Sequence, residues 1–232
     1  MAGEPRSSPP PGRSPGRPAI PADRFVDAAL AIIDADGVDA VTMRAVAQRL
    51  GSGTATLYRH FDNRAHLLAA VVDRVLAEAA DRIDAAAHDD WADELRVICR
   101  STFDALRRHR NVLPVLARQL PSGEHAIAGR DRIIAVLLAG GCPPDAALAT
   151  YATFARYVLG FAIQTSNGLG DAVVEPRKEA VDRADPIPTG PITNGTVGKA
   201  RGIPLDDEFA FGLDLLILGL RQFIHATPRH DA

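Results

Sequence analysis

Four short apolar runs between residues 22 and 76, each closed off by glycine, threonine or asparagine, restrict this chain to a bundle of packed helices. Phe25, Ala28, Ala29, Ile32 and Ile33 recur at spacings of three and four and form one helical stripe that starts near Ala22. Gly37 is its natural stop. Thr42 is placed to cap a second helix, Met43 to Leu50, with Val46, Ala47 and Leu50 facing inward, and Gly51 ends it. A third helix of about two turns is predicted from Thr54 to Phe61. On a wheel of ~100° per residue, Leu57 and Phe61 share its core face. Ala55 and Arg59 fall on the opposite face, with Thr56 and Tyr58 on the flanks. Asn63 caps a fourth helix that carries Leu67, Leu68, Val71, Val72, Val75 and Leu76.

Helical periodicity continues at 90–109, 111–120, 124–140 and 144–168, the last opening on Pro143-Pro144, where a missing N–H costs little. From Gly170 to Pro204 the pattern dissolves into charged, proline- and glycine-rich sequence. A mobile loop over 170–204 is expected, with a short helix around 175–184. A final helix, 205–225, contains FAFGLDLLILGLRQFI and is apolar on most of its surface. Such a helix must be buried, and a partner subunit can supply the burial. No strand run and no internal repeat appears. At the other end, residues 1–21 are rich in proline, serine, glycine and arginine and predict a disordered basic arm. The sequence thus predicts an all-α chain: a three-helix unit over 22–68, then a larger helical domain over 69–232.

The formal charge of −3 hides a local bias. Between Ala40 and His66, Arg44, Arg49, Arg59 and Arg64 are opposed only by Asp62, which permits phosphate binding. Cys99 and Cys142 make no C-x-x-C pair, so they read as small buried apolar residues in a reducing, cytoplasmic setting. No apolar run reaches the ~18 residues of a membrane span, and the N-terminus has no apolar signal region. G-x-S-x-G and H-E-x-x-H are absent, and GTVGKA at 195–200 is too short a gap, with Ala200 where a P-loop needs Ser or Thr. An enzyme is not indicated. His109 and His125 belong to no ligand-spaced cluster, which predicts surface or capping roles and no metal or other cofactor.

A short helix after a glycine turn, small and polar in its first turn, has the layout of a helix-turn-helix recognition helix. Ala55 or the methyls of Thr54 and Thr56 suit a thymine methyl, and Arg59 suits guanine or phosphate. Tyr58 and His60 suit phosphate oxygens, which position a protein without specifying sequence. The competing reading is a helical small-molecule-binding or dimerisation module without specific DNA binding, its exposed face merely polar.

The segment AALAIIDADGVDAVTMRAVAQRLGSGTATLYRHFDNRAHLLAAVVDRV, within Arg24 to Val75, resembles the N-terminal domain of TetR-family transcriptional regulators. The likeness is carried by Ala28-Ala29, Gly37, Thr42-Met43-Arg44, Ala47, Leu50-Gly51, Leu57-Tyr58, His60-Phe61 and Leu67-Leu68. LLAGGCPPDAALATYATFARYVLGFAIQ and FAFGLDLLILGLR are similar in character to the dimer-forming helices of the tetracycline repressor branch. The resemblance implies a homodimer, joined through helices 144–168 and 205–225, that binds a palindromic double-stranded operator, usually as a repressor. A small-molecule effector entering the C-terminal domain would release it. It also implies that Arg44, Thr54, Ala55, Thr56, Tyr58, Arg59, His60 and Arg64 face DNA, Arg64 through phosphate. Gly16-Arg17-Pro18, preceded by Arg13, is similar to a minor-groove hook, so Arg13 and Arg17 are arm candidates. Effector-lining candidates by helix position are Phe103, Leu106, Leu116, Gln119, Phe154, Tyr157, Phe161 and Gln164. Two features depart from the pattern. Gly53 stands where a polar cap is usual, which predicts a third helix that frays until DNA orders it. Ala80, Ile98 and Leu116 fall at three positions where polar residues would hold tetracycline and its magnesium, so tetracycline resistance is not the expected role.

Overall fold

A computed structural model of the chain describes residues 20–86, 90–118, 121–166 and 204–226. Nine α-helices and no strands are found among them: α1 (Ala22–Asp36), α2 (Met43–Arg49), α3 (Thr54–Tyr58), α4 (Arg64–Asp84), α5 (Trp91–Arg108), α6 (Leu113–Leu116), α7 (Glu124–Ala139), α8 (Pro144–Ser166) and α9 (Leu205–Ala226). The expected arm, with Arg13 and Arg17, lies outside the described residues. So do Gln119, residues 167–203 of the loop region and the short helix expected at 175–184.

Local capping sets most of the helix ends. Thr42 Oγ1 accepts from Ala45 N–H at 3.0 Å, and Asn63 Oδ1 accepts from His66 N–H at 2.9 Å. Asp90 Oδ1 accepts from Ala92 and Asp93 N–H, both at 2.9 Å, and starts α5. Gly37, at φ 83°, returns its N–H to Ile33 O at 2.8 Å and ends α1. Two helices are shorter than expected. α3 stops at Tyr58 because the N–H groups of His60 and Phe61 both turn onto Leu57 O. The run over 111–120 opens as a 3₁₀ turn, Arg110–Val112, followed by the single-turn α6 with Pro114 at its start.

α4, about 32 Å long at 1.5 Å per residue, is the spine. Its first turns carry Leu67, Leu68, Val71 and Val72 against α1; further along, Val75, Ala79 and Ile83 continue the same buried stripe into the second domain. α5 packs on α4, α7, α8 and α9. Cys99 is buried there, which pushes its thiol up to about 12, and Cys142 is buried too. Against the expectation that no apolar stretch is long enough, α8 and α9 are long and apolar enough to cross a membrane by length and composition. Each buries one side in the bundle, through Phe154, Val158 and Ala162 on α8 and Phe209, Leu213, Ile217 and Leu220 on α9. Of the burial expected for the final helix, this chain supplies one side. Phe211, Leu215, Leu218 and Phe223 on α9, and Leu148 on α8, remain exposed.

Candidate nucleic-acid interface

The turn between α2 and α3 is built by backbone geometry. Gly51 takes φ 59°, a left-handed conformation that suits glycine, and Ser52 N–H bonds back to Ala47 O at 2.9 Å. Leu57 (0% exposed) and Phe61 (4%) then fix α3 to the core beside Val46 and Ala47. With those anchors in place, Thr54, Ala55, Tyr58 and Arg59 are exposed, Thr56 is half-buried, and Arg44 is exposed on α2. Tyr58 shows 52% of its surface, which is unusual for an aromatic residue in a small domain. The outward face therefore combines a methyl-bearing, low-relief first turn with a phenol and two guanidinium groups. Gly53 has an extended backbone (φ −80°, ψ 150°) and no side-chain bond caps α3.

Two of the expected DNA-facing residues have work inside the fold. His60 places Nε2 3.1 Å from Ile20 O, and its ring sits 5.8 Å from that of Phe25. It thereby ties the chain two residues past α3 to Ile20, two residues before α1. Arg64 is half-buried, and its Nε and Nη2 donate to Val41 O and Val38 O, each at 2.6 Å. That fork holds the turn between α1 and α2 against the first residue of α4. Arg64 is thus a brace for the domain. Sequence alone pointed to phosphate because helix-start cations suit phosphate; it could not give the direction of the side chain.

The join between the two helical units is polar. Asn111 Nδ2 donates to Ile33 O and Asp34 O at 3.1 Å each, closing the C-terminal end of α1. His109 is only 8% exposed and takes the capping alternative: it is the C-cap of α5, its N–H donating to Ala105 O at 3.1 Å. Its Nδ1 lies 2.9 Å from Asp34 Oδ2 and its Nε2 3.3 Å from Glu78 Oε2. His125 takes the surface alternative: it is exposed, with Nδ1 3.0 Å from Asp73 Oδ2, and it is Asp73 of α4, accepting from Ala126 N–H at 3.0 Å, that caps α7. No group of three or more His, Cys, Asp or Glu among the described residues is placed to hold a metal ion.

Of the effector-lining candidates, Phe103, Leu106 and Phe154 are buried, Leu116, Tyr157 and Phe161 are half-buried, and Gln164 is exposed. Phe103, Tyr157 and Phe161 are brought together around Phe209, a residue that sequence reading had placed only in an apolar helix. Burial pushes the Tyr157 phenol up to about 12, helped by the Glu208 carboxylate. Open clefts of about 340 and 320 Å³ lie instead at the junction of α1, α4 and α5, lined by arginine and aspartate and not by these rings.

Known proteins share this arrangement. Residues 25–71 match the family model for bacterial regulatory proteins of the tetR family, and residues 85–224 match that for the tetracyclin repressor-like C-terminal domain. The HTH-type transcriptional repressor DrrR1 of Streptomyces coeruleorubidus is 29% identical over 92% of this chain and 83% of its own length. The class A tetracycline repressor of transposon 1721 from Escherichia coli is 29% identical over 85% of this chain and 88% of its own. Among solved structures, apo ActR from Streptomyces coelicolor superposes with a TM-score of 0.74 at 28% identity, covering 90% of this chain and 99% of ActR. ActR is also known in complex with actinorhodin, and in that form superposes with a TM-score of 0.70. The chain belongs to the TetR family: it is a helix-turn-helix DNA-binding transcriptional regulator with a tetracycline repressor-like, ligand-binding C-terminal domain.

Proposed function

We propose that the chain is a cytoplasmic repressor that grips a palindromic operator as a homodimer and lets go when a small molecule enters its C-terminal domain. The observation that carries this reading is the outward face of α3: Thr54, Ala55, Tyr58 and Arg59 exposed on a helix whose inner side is pinned by Leu57 and Phe61. Arg44, Arg59 and Tyr58 are the groups for phosphate, and Arg59 can also read a guanine edge. Ala55 and the Thr54 and Thr56 methyls are the groups for thymine. His60 and Arg64 support that face from behind.

Support for the homodimer comes from the outer sides of α8 and α9. On α9 the exposed stripe is bulky, with Phe211, Leu215, Leu218 and Phe223. On α8 the exposed side carries small residues, Ala149, Thr153 and Gly160, interspersed with Leu148, Arg156 and Gln164. Bulky apolar ridges on one helix and gaps at small residues on the other suit mutual packing across a two-fold axis, and they give the apolar surface of both helices an occupant. ActR, bound to actinorhodin, is the similar protein that supports a small-molecule effector. Tetracycline itself is not proposed, because Ala80, Ile98 and Leu116 offer no polar groups.

The test is selection of bound DNA from a random pool, followed by affinity measurement on the recovered site. A palindrome with steeply salt-dependent binding is expected. The Arg59→Ala variant is expected to weaken binding and to lower the logarithmic salt slope by about 1. No enriched sequence, or an unchanged Arg59→Ala variant, would overturn the DNA reading. Leu218→Glu is expected to sediment as a monomer; a dimer of unchanged strength would overturn the interface.

A further inference from the structure

The C-terminal domain already holds an aromatic ring in a box made of rings, and that ring belongs to the protein. Phe209, 1% exposed on α9, lies against Phe103 of α5 with centroids 4.1 Å apart and planes 13° apart. Tyr157 of α8 lies near parallel to it at 5.4 Å and 27°, and Phe161 meets it edge-on at 5.5 Å and 72°. The Phe103 and Phe209 rings are thus stacked face on face at close range. The guanidinium of Arg107 lies 5.9 Å from the centre of the Phe103 ring.

Phe209 sits in the second turn of α9, whose first turn is fastened to α5 by Arg107 Nη1 donating to Asp206 Oδ2 at 2.6 Å. A second tie is the Tyr157 hydroxyl, which donates to Phe209 O at 2.8 Å, and a third, one turn on, is Arg96 Nε donating to Asp214 Oδ1 at 2.8 Å. The phenol oxygen also faces Leu213 N–H, so it sits between the carbonyl and the amide that an uninterrupted helix pairs with each other. Gly212 makes the approach possible: a Cβ there would lie 2.3 Å from the hydroxyl. A side chain inserted at this place weakens the helix ladder where it enters.

We infer that Phe209 occupies, as an internal stand-in, the slot of a flat aromatic effector. A ligand of that class stacks on Phe103, takes the Tyr157 hydroxyl as a hydrogen-bond partner, and turns Phe209 and the first turns of α9 out of the bundle. The inference rests on the proposed small-molecule control and names the class of molecule. Phe103 and Tyr157 supply two near-parallel ring faces and Phe161 an edge, a geometry that selects a planar ring over an alkyl chain. Displacement at Phe209 also reaches the outer face of α9, because Phe211, two residues on, is 66% exposed there.

The test uses the full chain, with anthraquinone-2-carboxylate as the flat probe and decanoate as an aliphatic carboxylate of the same charge, in equilibrium dialysis. The wild type is expected to bind the anthraquinone at least tenfold more tightly than decanoate. Phe209→Ala, with the slot vacated, is expected to gain a further tenfold or more, and Phe103→Leu to lose tenfold or more. Phe209→Leu keeps the bulk without the ring and carries the test if the alanine variant does not fold; its gain is expected to be severalfold. Hydrogen exchange gives an independent readout, in which the anthraquinone lowers protection at 205–213 of the wild type. Equal binding of both probes, no gain in either Phe209 variant, or raised protection over 205–213 would overturn the inference. Operator binding is followed on the same samples. Probe binding without operator release upholds the slot and rejects the proposed control; operator binding with no probe bound rejects the slot alone.

Discussion

Gly53→Ser is expected to stabilise the recognition helix, and the size of the effect follows from three observations. Gly53 is the N-cap of α3 and no side chain caps the helix. Its backbone, φ −80° and ψ 150°, lies in the region a serine N-cap adopts. An added Cβ meets nothing within 4 Å, so the new side chain has room. Serine is better than glycine as a cap by only a few tenths of a kcal/mol. Replacing glycine at a compatible position adds about 0.4–1 kcal/mol by restricting the unfolded chain. Together these give about 1 kcal/mol, or roughly a fivefold shift in the opening equilibrium.

Hydrogen exchange of the α3 amides is the direct assay, since a five-residue helix opens locally long before the whole chain unfolds. Protection over 54–58 is expected to rise about fivefold, with α5 amides unchanged. If fraying of α3 limits DNA binding, operator affinity should rise by a similar factor, because less ordering remains to be done on the DNA. Unchanged or reduced protection would refute the capping argument. Raised protection with weaker operator binding would show instead that Gly53 is there to clear the DNA backbone.

Arg64→Met is expected to cost about 1–3 kcal/mol in denaturant unfolding, since it leaves Val38 O and Val41 O without their charged donor. Unchanged stability with lost operator binding would move Arg64 from brace to DNA contact. The Asp90 carboxyl sits below its ordinary range, chiefly through the Asp93 N–H, with Arg221 assisting against some burial. A lowered folded value means that its contribution is present above the unfolded value of about 3.9 and is lost as pH falls through the folded one. Asp90→Asn should therefore flatten part of the acid-side fall in stability below about pH 4, and parallel wild-type and variant curves would exclude this cap as a source.

What was legible in the sequence was what local chemistry decides. Thr42 and Asn63 start helices because the capping oxygen and the amide it accepts from are three residues apart, and Gly37 and Gly51 end them through their own φ. The inward faces of α1 to α4 followed from spacing for the same reason. Side chains whose partners lie far along the chain were not legible. Arg64 reaches back 23 and 26 residues, and His60 reaches back 40. In both cases residue type pointed to phosphate and gave no sign of the carbonyl that the side chain also meets. Phe209 meets Phe103 across more than a hundred residues of chain, so periodicity could place it on a helix but not inside a box of rings.

α1 is fastened at both ends, and this has a measurable consequence. At its start, Ile20 O is bonded to His60, at the end of the recognition helix; at its finish, Ile33 O and Asp34 O are bonded to Asn111, in the second domain. Between these ties run 15 helical residues, about 22 Å, packed on α4. A helix of that length is stiff, so the corner at Asn111 and the end of α3 move as one body while both ties hold. Asn111→Ala removes the far tie and leaves the near one. Losing two neutral hydrogen bonds should cost about 1–2 kcal/mol, and the loss should not be shared evenly. Amides in α1 to α3 should lose severalfold in hydrogen-exchange protection, while those of α5 and the fluorescence of Trp91, the one tryptophan, should report a domain little changed. Equal losses in both domains would mean that Asn111 only adds to overall stability. No loss in either would mean that the His109 pair with Asp34 and Glu78 holds the junction unaided.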